Sequence, residues 1–332
     1  MTLFSSTRGT SITRRASRCC IVLAWLLAAG GALAQTPTRP IKLIVPSAPG
    51  DGSDTTARLV GDKLAQALGV AVVIENKPGA GGVVGSEAAA RAEPDGTTFI
   101  VGNAGSHGIN AAIYRKLKYD VVKDFAPVAL ICTAPNVMVA SPGLPVATLA
   151  EFIAYARANP GKLNYASGGI GSSSHLSAEL LKSMTGIEMT QIPYKGATPA
   201  VAAVLSGEAS VMIGNLPPWS GHLKSGRGRA LGVTTATRHL SLPDVPALAE
   251  TLPGFETLAW FGVLAPAATP APIIERMNRE INAVLVQDEI RRRLSATGCD
   301  PAPGSSAAFA TRIGTDVARW RKLAAERKIF AD

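Results

Sequence analysis

Cysteine and histidine are too few and too scattered in this sequence to build a metal centre. Four cysteines occur in 332 residues, and only Cys132 and Cys299 lie beyond the first twenty positions. That spacing excludes a cysteine-based metal motif and a disulfide framework, while leaving open one long-range bond or two buried thiols. His107, His175, His222 and His239 show no ligand spacing, so neither a metal nor a cofactor is expected. No lysine/arginine run is interleaved with aromatics, and Arg291-Arg292-Arg293 reads as a solvated helix turn. Nucleic acid is therefore not an expected partner. Beyond residue 34 no apolar run is long enough to span a bilayer, and no repeat or low-complexity segment appears.

Acid is missing altogether from the first 34 residues, which carry Arg8, Arg14, Arg15 and Arg18 and then the apolar run Cys19 to Leu33. Ala32-Leu33-Ala34 is an A-x-A site with Gln35 next. Basic, apolar and small-residue segments in that order predict a secretory signal peptide over 1–34, cleaved after Ala34, and hence a periplasmic protein. Arg14-Arg15 leaves both the general and the twin-arginine export routes open. The formal charge is +9; taking away those four arginines leaves +5, a modest bias toward anionic ligands.

The remaining chain alternates strand and helix. Ile41 to Val45 is apolar except for Lys42 and stops at Pro46; a helical pattern with Ala57, Val60, Leu64 and Leu68 on one face follows. Between them lies the small-residue loop Ser47, Ala48, Pro49, Gly50, Asp51, Gly52, Ser53, Asp54. Strands over 70–75, 97–101, 125–131, 136–140, 163–166, 189–193, 209–213, 229–234 and 260–264 are expected, with helices between most of them and mostly helix beyond Pro270. This pattern predicts an α/β fold of two doubly wound lobes around a cleft. The expected division is lobe 1 over 35–141, lobe 2 over 142–259, and a return to lobe 1 over 260–332.

Three loops share one design, being small, glycine-rich, at a strand's carboxyl end and feeding a helix. They are Ser47–Asp54, Gly102–His107 (with Ala104, Gly105, Ser106 and His107), and Ser167–His175 (with Gly168, Gly171, Ser172, Ser173 and His175). Amides, hydroxyls and helix N-termini in such places suit an anion. At ~1.5–3 kcal/mol per hydrogen bond to an ionised partner, four or five could hold a small carboxylate without an arginine. Ser172 and His175 could instead be read as a hydrolase pair, but the surrounding residues are not a G-x-S-x-G elbow. Gly79-x-Gly81 with Gly85 follows the second strand, out of register for a dinucleotide site.

The chain resembles the Bug (TctC-like) family of periplasmic solute-binding proteins. The resemblance rests on Pro40–Pro46, Ala48-Pro49-Gly50, Glu75–Gly82, Pro94-Asp95-Gly96, Tyr119–Val128, Asn159–Tyr165, Ser172–Leu176, Ile192–Gly196, Leu242–Pro246 and Trp260-Phe261-Gly262. It implies a periplasmic binding protein type II-like, Venus-flytrap fold and a non-enzymatic monomer. The implied ligand is one small carboxylate: a mono- or dicarboxylate, an amino acid or an aromatic acid. The implied partners are the permease subunits of a tripartite tricarboxylate transporter, with a membrane sensor as the alternative. Residues 47–54 and 104–107 would grip one carboxylate, and 168–175 with Tyr194, Lys195, Gly196 and Asn215 would meet the far end. Departures stand out in two places. Ser47 replaces the family's usual aromatic and Asp51 its usual glycine, and Gly214 replaces the aspartate common before Asn215.

Overall fold

The first strand explains why the chain opens as it does. In β1 (Ile41–Val45) every residue but Lys42 is buried, as expected of a strand covered on both faces. Lys42 reaches Glu75 at 3.2 Å. The computed structural model describes residues 1–2 and 39–331, so the expected signal peptide over 1–34 lies, apart from Met1 and Thr2, outside the described residues. Helix α1 (Gly52–Leu68) buries the stripe Ala57, Val60, Leu64 and Leu68 and ends at Gly69, whose φ of 69° gives a left-handed cap. β2 (Val72–Asn76), α2 (Val83–Ala90) and β3 (Thr98–Asn103) complete a parallel unit in which β1 pairs with both other strands. A wide helical turn, Gly105–Ile109, runs into α3 (Asn110–Ile113).

β4 (Phe125–Ala140) departs from expectation. Two strands separated at Thr133–Pro135 were predicted; the structure has one strand of 16 residues. Its first stretch pairs antiparallel with β9, from Phe125↔Pro266 to Pro135↔Leu258. Its second stretch, Asn136 to Ala140, pairs with β7 and β8. Proline's fixed φ suits extended chain, and Pro135, which lacks a donor, stands where the strand changes partners. Buried side chains pin this crossing. Asn136 Nδ2 donates to Thr257 Oγ1 at 3.1 Å and to Ser177 Oγ at 3.3 Å, and the Asn136 amide donates to Thr234 Oγ1 at 3.0 Å.

The second half follows as α4 (Leu149–Ala158), β5 (Asn164–Ser167), α5 (Ser173–Thr185), β6 (Thr190–Pro193), α6 (Ala197–Ser206), β7 (Val211–Asn215), α7 (Leu216–Lys224), β8 (Arg229–Val233) and α8 (Leu248–Thr251). The chain then returns through β9 (Leu258–Pro266), α9 (Ala271–Leu285), α10 (Asp288–Ala296), β10 (Asp300–Pro301) and α11 (Ser306–Arg327). The order β2-β1-β3-β9-β4-β7-β5-β6 forms one curled sheet, with β8 and β10 also on β4. Each half has its own core. Leu43, Leu64, Phe99, Phe261 and Ile281 belong to the first; Phe152, Tyr165, Leu181 and Phe255 belong to the second. This is the two-lobed, doubly wound α/β class expected. Cys132 and Cys299 form a disulfide across 167 residues, both fully buried, which decides between the two alternatives left open above. β10 places them together, pairing Pro301 with Cys132.

Candidate functional site

The loops at the carboxyl ends of β1, β2, β3, β5, β6 and β7 converge on one cavity of about 520 Å³, with Ala259 and Phe261 of β9 also in its wall. That is the place and size expected of a small-molecule site in an open α/β sheet. Of the residues proposed from sequence, the first loop contributes Ser47, Ala48, Asp51 and Gly52 to the wall, and the loop after β3 contributes Ala104 and Gly105. From the other half come Gly168, Ser172 and Ser173, then Tyr194, Lys195 and Gly196, and finally Asn215.

Pro49, Gly50, Asp54, Ser106, His107, Gly171 and His175 are not among the wall residues of this cavity. Asp54 is buried and faces back into its own loop. It accepts from the Gly50 amide at 2.9 Å, from Asn76 Nδ2 at 2.9 Å and from Arg58 Nε at 3.0 Å. Burial pushes the Asp54 carboxyl up, but the bonds from Arg58, Gly50 and Asn76 outweigh it and hold it below its ordinary value. Gly50, at φ 83°, is the turn this bracing requires, and Pro49 precedes it off the wall. Ser106 and His107 are likewise buried. Ser106 accepts Tyr119's hydroxyl on its carbonyl at 2.6 Å, and its Oγ lies 2.8 Å from His107 Nδ1. His107 packs edge-on against Phe125 with ring centroids 4.5 Å apart. Burial lowers its pKa to about 3, so the ring stays neutral.

The loop after β5 is held by its own serines. Ser172 caps α5 by accepting from the His175 amide, and its hydroxyl donates to the Gly169 carbonyl at 2.7 Å. Ser174 Oγ accepts from the Gly168 amide at 2.9 Å. The His175 ring accepts from the Gly171 amide at 3.3 Å and lies nearly parallel to Tyr165; desolvation lowers its pKa. His175 and Gly171 thus shape the loop from outside the cavity. Ser173 and Asn215 meet on the wall, hydroxyl to Oδ1, at 2.8 Å. The Tyr194 hydroxyl turns away to Glu208 at 2.8 Å, and Lys195 is exposed.

Several wall residues escaped the sequence reading. Asn103 is one: its Nδ2 donates to Oγ of Ser53 in the first loop at 2.9 Å, tying the loops after β1 and β3, and both residues line the cavity. The loop after β2, Pro78 to Gly82, forms another wall; its run of glycines was the available signal. Here the halves meet backbone to backbone. A Cβ on Gly81, at φ 62°, would sit 2.2 Å from the Ile170 carbonyl oxygen, and one on Gly105 would sit 3.0 Å from that of Gly171. Ser47 Oγ is buried without a hydrogen-bond partner among the described residues.

A two-lobed α/β fold whose halves both send small-residue loops into one cavity is the architecture of a solute-binding protein. The chain matches the tripartite tricarboxylate transporter family receptor, TctC, over residues 56–329. It belongs to that family, the Bug family of the sequence resemblance. It is 37% identical over 298 residues to a UPF0065 protein in a tcbD–tcbE intergenic region of a Pseudomonas species, covering 89% of this chain and 88% of that one. Rhodopseudomonas palustris Rpa4515 with adipate superposes with a TM-score of 0.86 at 38% identity, covering 89% and 99% of the two chains. MatC from Rhodopseudomonas palustris with bound malate gives 0.83 at 35%, covering 86% and 99%. No helix among the described residues is long and apolar enough to cross a membrane.

Proposed function

We propose that this chain is an exported, periplasmic solute-binding protein. It takes a small carboxylate into the cavity between its halves, without a cofactor and without chemistry, and presents it as a monomer to the permease of a tripartite uptake system. The observation that carries this reading is the wall itself. Two halves of a sheet bring the loops at their strand carboxyl ends to one cavity, and small residues there let the backbones approach. The adipate and malate held by the two similar structures support the ligand class. The bonding around Ser172 and His175 lends the hydrolase alternative no support. The Ser172 hydroxyl donates to a carbonyl and His175 Nδ1 accepts from an amide, so that nitrogen is already used.

Thermal unfolding of the refolded protein against mono- and dicarboxylates, amino acids and aromatic acids tests the reading. A ligand at a hundred times its dissociation constant stabilises by ~2.7 kcal/mol, which raises the midpoint by a few degrees in a chain of this size. A shift with a carboxylate and none with its amide is the expected result; no shift with any acid overturns the reading. Gly81→Ala is expected to hold the halves apart, because the new methyl group cannot coexist with the Ile170 carbonyl. Small-angle scattering should then show a larger radius of gyration, and affinity for the identified acid should fall at least tenfold. An unchanged radius would remove Gly81 from the closing contact.

A further inference from the structure

Asp51 is a carboxylate that the cavity supplies to itself. It precedes α1 in the N-cap position, where a short polar side chain usually turns back to that helix's amides, yet it makes no such bond. Its Oδ1 instead accepts from the amides of Ala197 at 2.9 Å and Thr198 at 3.1 Å, with the Thr198 hydroxyl at 3.4 Å. These begin α6, ten residues long, whose own cap residue is Gly196 and has no side chain to offer. A residue of the first loop thus caps a helix of the other half, 146 positions away. The fit is close, since a Cβ on Gly196 would lie 2.7 Å from Asp51 Oδ2.

Asp51 is 7% exposed and shares the cavity wall with Gly196, Ala197, Ser173 and Asn215. Burial raises its carboxyl to about 6, against the opposing bonds from Thr198 and Ala197, so it is mostly ionised at neutral pH. The amides of Ala197 and Thr198, with the positive end of α6 behind them, are where an anion reaching the second half would dock. Asp51 already holds them. Its Oδ2 receives no donor from the described residues.

We propose that Asp51 sets ligand choice, making this cavity a site for a monocarboxylate whose far end is neutral or a hydrogen-bond donor. The inference rests on the solute-binding reading above and narrows it. A second carboxylate brought to this end meets a like charge in a poorly solvated place and finds its amides taken. A hydroxyl or amide there can donate to Oδ2.

The test is calorimetric titration of the refolded protein with adipate and with 6-hydroxyhexanoate, equal in chain length and differing at one end. The wild type is expected to favour the hydroxy acid at least tenfold. Asp51→Ala, compatible with the residue's extended backbone (φ −68°, ψ 165°), should move the ratio at least tenfold toward adipate. Asp51→Asn keeps an acceptor on the α6 amides without the charge and should fall between them, which separates charge from occupancy should the alanine variant fold poorly. A ratio in both variants within twofold of wild type overturns the inference, as does a wild type that prefers adipate. Binding of either acid to the wild type bears on the solute-binding reading; the ratio bears on Asp51. Failure of Asp51→Ala to take up adipate overturns the inference even where the wild type binds neither acid, because the freed amides are what should hold the second carboxylate.

Discussion

Breaking the Cys132–Cys299 bond is expected to lower the unfolding free energy by about 3–5 kcal/mol. The bond closes a loop of 167 residues that contains the whole second half of the sheet. A cross-link over so long a loop restricts the unfolded chain strongly in the chain-entropy account. Both sulfurs are fully buried against the first half's core, so a reductant reaches them only once the structure opens. Reduction of the wild type in urea isolates the bond, whereas Cys132→Ser with Cys299→Ser adds two hydroxyls to an apolar core. Urea midpoints with and without reductant, read alongside the double variant, check the expectation. Coincident midpoints would show that the bond contributes nothing to stability.

Asp51→Asn is expected to be more stable than the wild type at neutral pH, by up to about 3 kcal/mol. Burial raises the folded-state value from 3.8 to about 6, so the folded protein holds this proton more tightly than the unfolded chain does. The group favours folding below pH 4, and that contribution is lost as pH rises through 6. The advantage of Asp51→Asn should therefore be greatest above pH 7 and shrink as pH falls from 6 to 4. Buried neutral His107, whose value is lowered to about 3, works in the opposite direction over part of that window. It is common to both proteins and cancels in the difference. Urea unfolding of the pair at pH 7.5, 6, 5 and 4 gives the curve, and a difference that does not change with pH would deny the carboxyl its raised value.

Much of the architecture was legible because it is local. β1 reads as a covered strand from its run of apolar residues, and α1 from a stripe at helical spacing closed by Gly69. The loops after β1, β3 and β5 announce themselves by small residues between strand and helix. What was not legible depends on distant partners. Leu216–Lys224, which no expectation above singled out, is helical although it contains Pro217, Pro218 and Gly221. Its prolines occupy the first turn, where an amide would have no partner in any case. β4 looked like two strands because the residues that keep its middle extended belong to β9, more than a hundred positions on. His107 and His175 carried the mark of function, a histidine near a helix start in a glycine-rich loop; both are buried, and neither lines the cavity. Asp51 was recognised as an oddity of the first loop. Its partners at Ala197 and Thr198 lie in another unit of the chain, where no local pattern points to them.

The placement of β9 also sets an order of assembly. It lies between β3 and β4, pairing Val101 with Val263 on one side and Thr133 with Trp260 on the other. Until residues 258–266 arrive, β3 has an open edge and β4 lacks the neighbour that its first eleven residues require. The second half has no such debt to later chain, since β5, β6, β7 and β8 and the end of β4 lie within one continuous stretch. A chain emerging from its N-terminus therefore completes its middle before its beginning, and its opening strands wait for a segment made after the second half.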